Sequence, residues 1–155
     1  MESNKPQPVT HRAPGISETP LNAPFTPDRI SALGRSEIFV FGSNLRGFHG
    51  GGAAFIAMAR FGAVYGQGIG LQGNSYAIPT MQGDVGTIRP YVDEFIEYAK
   101  SRPELTFYVT KIGCGIAGFR AEQIAPLFAG AMAVANIRLP REFADIISSR
   151  NSSGE

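Results

Sequence analysis

The chain has 155 residues, of which 43% are hydrophobic and 17% charged, with a formal net charge of +1. This is enough apolar material for one core and too little charge for disorder along the whole length, so a single domain is expected. The near-neutral balance excludes a strong field for nucleic acid or an acidic membrane surface, and no apolar run approaches membrane-spanning length.

Residues 1–27 hold six of the 11 prolines, with much Ser, Thr and Asn, and read as a flexible tail with at most a turn from Thr26 into Asp28. The segment lacks the apolar core of a signal peptide. The domain is expected over residues 28–147, and residues 148–155 read as a second disordered tail. Within the domain, β-branched and aromatic residues predict a strand over 37–41. An Ala-rich helix follows over 51–61, where Phe55, Met58 and Ala59 keep helical spacing. Residues 63–73 form a turn-rich stretch, and 74–80 a short strand stopped by Pro79. The clearest helix spans 87–101, with Ile88, Tyr91, Val92, Phe95, Ile96 and Ala99 on one face and Pro90 in the first turn. The clearest strand spans 104–112. A helix over 121–129 contains Pro126 and is expected to be short or kinked. The stretch Val134–Pro140 is a final strand candidate. Strands alternating with helices predict an α/β fold, compact and three-layered, around a mostly parallel or mixed central sheet.

Two Gly-rich loops stand out. The stretch Phe39-Val40-Phe41-Gly42-Ser43-Asn44 runs from the first strand into His49-Gly50-Gly51-Gly52, and Gly113-Cys114-Gly115-Ile116-Ala117-Gly118-Phe119 follows the clearest strand. Each lies between a strand and a helix, so both are expected at the carboxyl edge of the sheet, where ligands of such folds sit. Backbone N–H groups at a helix start are unpaired and favour an anion, and the absence of side chains lets one approach. Two such loops suggest a diphosphate; the bland alternative is that these glycines only make tight turns. Gly66, Gly68 and Gly70 alternate without opening a clear helix, and the Walker lysine pattern is absent.

The segment from Val40 to Ala63 resembles the first signature of the macro domain, an α/β module that binds ADP-ribose: strand, Asn, short loop, three glycines and an Ala-rich helix. Asn44, four intervening residues and His49-Gly50-Gly51-Gly52 match the spacing of its viral members. Residues 70–80 look like the family strand ending in Ile-x-Thr. Gly115, Gly118 and Phe119 fall on the family's second phosphate loop, and Asp28 with Ile30 resembles its adenine-recognising pair. The chain is also similar to a family of small uncharacterised phage-associated proteins sharing the first block and the Gly-Cys-Gly-Ile-Ala-Gly block.

The resemblance implies ligand binding by Asp28, by Gly50, Gly51 and Gly52, and by Gly113, Cys114, Gly115, Ile116, Ala117, Gly118 and Phe119, with Asn44 and His49 at the distal ribose as candidate catalytic groups. Phe41 stands where the family has the first Asn of its Asn-Ala-Ala-Asn run. Ala53 or Ala54 stands where the hydrolytic subclass carries Asp or Glu, and fewer strands fit between Gly52 and Glu104 than in a full macro sheet.

Simpler roles compete at each position. Asn44 could close a turn after the strand, and His49 could be an ordinary loop histidine. Cys114 could have a lowered thiol pKa between its glycines, or be small and buried. Arg46 and Lys111 could neutralise phosphate or be solvated. His11 lies in the tail and has no assigned role, and Tyr76 is expected in the core or at its rim. The single cysteine excludes an internal disulfide and no Cys/His cluster has zinc spacing, so neither metal nor cofactor is expected, and the expected compartment is a reducing cytoplasm.

The leading expectation is therefore a domain that binds ADP-ribose or a related nucleotide-diphosphate sugar. As an enzyme it would hydrolyse ADP-ribosyl or ADP-ribose-phosphate esters, with an ADP-ribosylated protein as a candidate target. The alternatives are a non-catalytic nucleotide-metabolite sensor or sponge, or a phage-associated structural or interaction protein.

Overall fold

The computed structural model describes residues 13–153, so His11 lies outside the described residues. Five strands form the central sheet in the order β4-β5-β3-β6-β7. These are β3 (Glu37–Ser43), β4 (Gly70–Gln72), β5 (Ser75–Pro79), β6 (Thr106–Val109) and β7 (Ile137–Arg138). All neighbours are parallel except the antiparallel edge pair β4–β5. The expected α/β fold with a mixed sheet is thus the one formed. β4 lies in the stretch read as turns, since a three-residue strand that begins on Gly70 and is followed by Gly73 is too short to show alternation.

Alternation along the strands divides the interior into two cores. On β3, Ile38 and Val40 face one core, and Phe39 and Phe41 the other. Phe107 and Val109 of β6 join the first, and Tyr108 the second. Period-two geometry requires this wherever both faces of a strand are covered. The first core is roofed by α2 (Arg89–Lys100) through Val92, Phe95, Ile96 and Ala99, and by the helices that follow β6. The predicted 121–129 helix divides before Pro126, into α3 (Ala121–Ile124) and a 3₁₀ helix (Ala125–Ala131). Phe128 of the latter packs against Phe95 and Phe143. The second core is covered by α1 (Gly52–Arg60), which buries Ala54 and Ala57, and by the N-terminal segment. Helices on both faces make the architecture three-layered.

The terminal segments depart from expectation. Residues 13–27 are not a free tail. Within them β1 (Ile16–Ser17) pairs in parallel with β2 (Leu33–Gly34), and Thr26 bridges Pro140. The cause is a buried carboxylate. Glu37, 4% exposed, accepts the N–H groups of Leu21 (2.8 Å), Asn22 (2.9 Å) and Gly34 (2.6 Å). A buried carboxylate needs such partners, and three backbone donors supply them. The Ala23 N–H donates to Tyr108 Oη at 2.7 Å, fixing the strap to the sheet. At the other end, α4 (Arg141–Ser153) occupies much of the segment read as a disordered tail. Phe143 and Ile147 are buried in the first core, and this anchors a helix whose Ser-rich end has little propensity of its own. Residues 1–12 and 154–155, the outer parts of the two predicted tails, lie outside the described residues. No helix among the described residues is long and apolar enough to cross a membrane.

Candidate functional site

Three parallel strands end at one place. Gly42 and Ser43 close β3, Thr80 follows β5, and Thr110 follows β6. Chain leaves central strand β3 toward α1 on one face, while β5 and β6 lie on its two sides. This is the crevice position of open α/β sheets. A cleft of about 360 Å³ occupies it. Its walls include Gly51, Gly52, Ala53 and Ala54 from the start of α1, and Gly113 to Ala117 from the loop after β6. The two Gly loops therefore bound one cleft, as their order in the sequence predicts.

The chemistry of these walls is that of unpaired amides. At the start of α1 the N-cap Gly51 has no side chain to cap the helix, and among the described residues no acceptor is bonded to the first-turn N–H groups of Gly52, Ala53 and Ala54. In the second loop, Cys114 N–H donates to Lys111 O, Gly118 N–H to Gly115 O, and Phe119 N–H to Gly113 O. Among the described residues, no acceptor is bonded to the N–H groups of Gly115, Ile116 or Ala117. Gly52 adopts φ +59°, and Gly113 φ +75°, backbone that side-chain-bearing residues rarely tolerate. Ile116, 73% exposed, reaches across: a Cβ placed on Gly51 would lie 3.1 Å from its Cδ1.

Asn44 lines the cleft, but its amide closes its own loop. Nδ2 donates to Phe48 O at 3.1 Å, and Oδ1 accepts from Phe48 N–H at 3.0 Å. The turn-closing role is therefore realised. His49 does not line the cleft. It is fully buried, edge-on to Phe41 at 5.2 Å, with Nε2 3.2 Å from Gln72 Oε1. Gln72 Nε2 donates to the Gln67 and Gly70 carbonyls, so its oxygen faces His49 and also accepts from Val64 N–H. The histidine must then donate through Nε2, which leaves Nδ1 as a buried acceptor without a partner. The apolar Phe41 and the polar Gln72 between them draw the ring inward, away from the position expected of a catalytic group.

Of the other expected ligand residues, Gly50, Gly118 and Phe119 lie outside the cleft wall, and Phe119 packs against the first core. Asp28 lines a neighbouring chamber of about 750 Å³ with Ile30, Phe39, Ile56 and Pro140. This chamber shares Gly52, Ala53, Thr110 and Lys111 with the cleft, so the two adjoin. Burial pushes the Cys114 thiol up, with Glu142 adding to the effect and Lys111 opposing it, so the lowered-pKa alternative does not hold. Among the described residues Lys111 is the cleft's only charged lining residue, whereas Arg46 stacks over Phe48, its guanidinium carbon 4.9 Å from the ring centroid. Tyr76 is a core residue at 4% exposure.

Sequence reasoning did not find Ser43, Thr80 and Thr110. Their signal is positional, since each ends or follows a strand whose carboxyl end opens on the cleft. Thr110 Oγ1 donates to Val40 O at 2.7 Å, and Ser43 Oγ to Gly68 O at 2.6 Å, so both hydroxyls also tie the floor together. No Asp, Glu or His lines the cleft, and no group of three or more metal-ligating side chains occurs among the described residues. Compared with protein-family models, curated proteins and solved structures, the chain gives no match, so the macro-domain resemblance rests on its own residues.

Proposed function

We propose that this chain binds ADP-ribose or a closely related nucleotide-diphosphate sugar, with the diphosphate between the two Gly loops. One observation carries the reading: residues with unpaired amides, from the start of α1 and from 115–117, line the same cleft. Oriented amides and a helix start favour an anion, and two sets suit two linked phosphates. The adjoining chamber beside Asp28 and Ile30 provides room for a nucleoside at one end. Asn44, Phe48 and Met81, at cleft walls not shared with that chamber, are placed for a distal sugar.

Binding without turnover is the form we favour. A hydrolase acting through a side chain needs a proton-transferring group within reach of the substrate. Among the described residues the cleft wall offers Ser43, Thr80, Thr110, Cys114 and Lys111 but no carboxylate or imidazole. Hydrolysis of ADP-ribosyl esters remains the second reading, supported by Asn44 at the cleft wall and by the phosphate's own capacity to orient water. Calorimetry with ADP-ribose, AMP and NAD, followed by a product assay on ADP-ribosylated protein, tests both. Saturable binding of ADP-ribose with no product is the expected result; no binding refutes the reading.

A further inference from the structure

We propose that Glu142 is a specificity-determining residue of this cleft, which holds the cleft-lining cation Lys111 away from a bound anion. The inference rests on the diphosphate reading above. Lys111 stands at a junction. It lines the loop cleft, the chamber beside Asp28, and a third cavity of about 650 Å³ between the N-terminal strap and α4. Its Nζ lies 3.1 Å from Glu142 Oε1 and 4.0 Å from Asp28 Oδ1. The third cavity is also lined by Glu122 and Asp145, with Arg141 as a second cation beside Lys111, so its carboxylates outnumber its cations. Among the described residues, no carboxylate competes from the loop side, because none lines that cleft.

The Lys111 and Glu142 side chains are 45% and 49% exposed. A half-exposed pair of this kind is weak, and lysine carries a compact charge on a flexible stem. A diphosphate between the loops therefore competes with Glu142 for Lys111 on nearly equal terms. A strongly anionic ligand recruits the lysine, and a weakly anionic or neutral one leaves it paired. The cleft walls then read shape through amides, while the Lys111–Glu142 pair sets how much negative charge the ligand must bring.

The test is a double-substitution cycle read by calorimetry with ADP-ribose at low salt, using the full chain. Glu142→Gln keeps the side-chain length and should tighten binding about two- to fivefold, the range for an exposed pair. The gain should shrink at high salt and vanish in a Lys111→Met background. Asp145→Asn, in the same cavity but not ion-paired with Lys111, should give a smaller gain and serves as the control for the general field. Unchanged affinity in Glu142→Gln, or an equal gain with Asp145→Asn or without Lys111, overturns the inference alone. Failure of the folded wild-type chain to bind ADP-ribose overturns the underlying reading, and this inference with it.

Discussion

Gly51 and Gly52 are adjacent, yet substituting each should have opposite consequences. Gly51 has φ −157°, extended backbone open to any residue, whereas Gly52 has φ +59°. An alanine at Gly52 must adopt left-handed backbone at a cost of about 1–2 kcal/mol, offset in part by about 0.4–1 kcal/mol of lost unfolded-state freedom. The net loss of up to roughly 1.5 kcal/mol should lower Tm by about 2–6 °C in a domain of this size. Valine at Gly51 keeps its backbone. Its Cβ would lie 3.1 Å from Ile116 Cδ1, the far end of a flexible side chain that can move, so Tm should change by no more than about 2 °C. The added side chain sits on the cleft wall, where it would deny an anion the amides of the first turn. Loss of even one hydrogen bond to a charged group is worth about 1.5–3 kcal/mol, or roughly 10- to 100-fold in affinity. Melting and ADP-ribose calorimetry on the same samples separate the two effects. If Gly51→Val unfolds more readily than Gly52→Ala, the first glycine serves the turn; if it binds as tightly as wild type, the amide wall does not hold the anion.

Glu37→Gln removes one of the acceptors that hold Leu21, Asn22 and Gly34, and should destabilise by about 2 kcal/mol, seen as a Tm fall of roughly 4–8 °C. Deleting residues 1–22 should cost at least as much, because it removes β1 and two of the three donors; an unchanged melting curve would restore the free-tail reading. His49→Phe loses a bond to Gln72 but also an unpartnered nitrogen, so stability should shift by less than about 1.5 kcal/mol and ADP-ribose affinity by less than about threefold. A large fall in any turnover with unchanged folding would return His49 to the chemistry. For Cys114, burial favours the neutral thiol, so alkylation should be slow at neutral pH and should accelerate only as pH rises beyond the ordinary thiol range. Rapid labelling at pH 7 contradicts that.

What the sequence disclosed and what it hid follow from the range of the interactions involved. The Phe39–Val40–Phe41 run and the apolar face of α2 carry their signal locally, so their elements were legible, and so was the shared edge of the two Gly loops. The strap was not legible, because Pro-rich composition argues for disorder and its anchor is Glu37, 15 and 16 residues away. Nor was α4, whose helical state depends on Phe143 and Ile147 reaching a core assembled by distant strands. His49 illustrates a different limit. A histidine before three glycines looks the same in sequence whether its ring enters a cleft or turns beneath it. Here the decision lies with Gln72, in the short antiparallel edge strand that composition did not disclose.

The central claim is that amides of both Gly loops hold one diphosphate. Its most direct measurement is a backbone amide NMR titration of the full chain with ADP-ribose. Saturable shifts are expected at Gly52, Ala53 and Ala54 together with Gly115, Ile116 and Ala117, at a common midpoint, in the cleft that both loops bound. Shifts confined to one loop, or ADP-ribose bound with neither set perturbed, would contradict it.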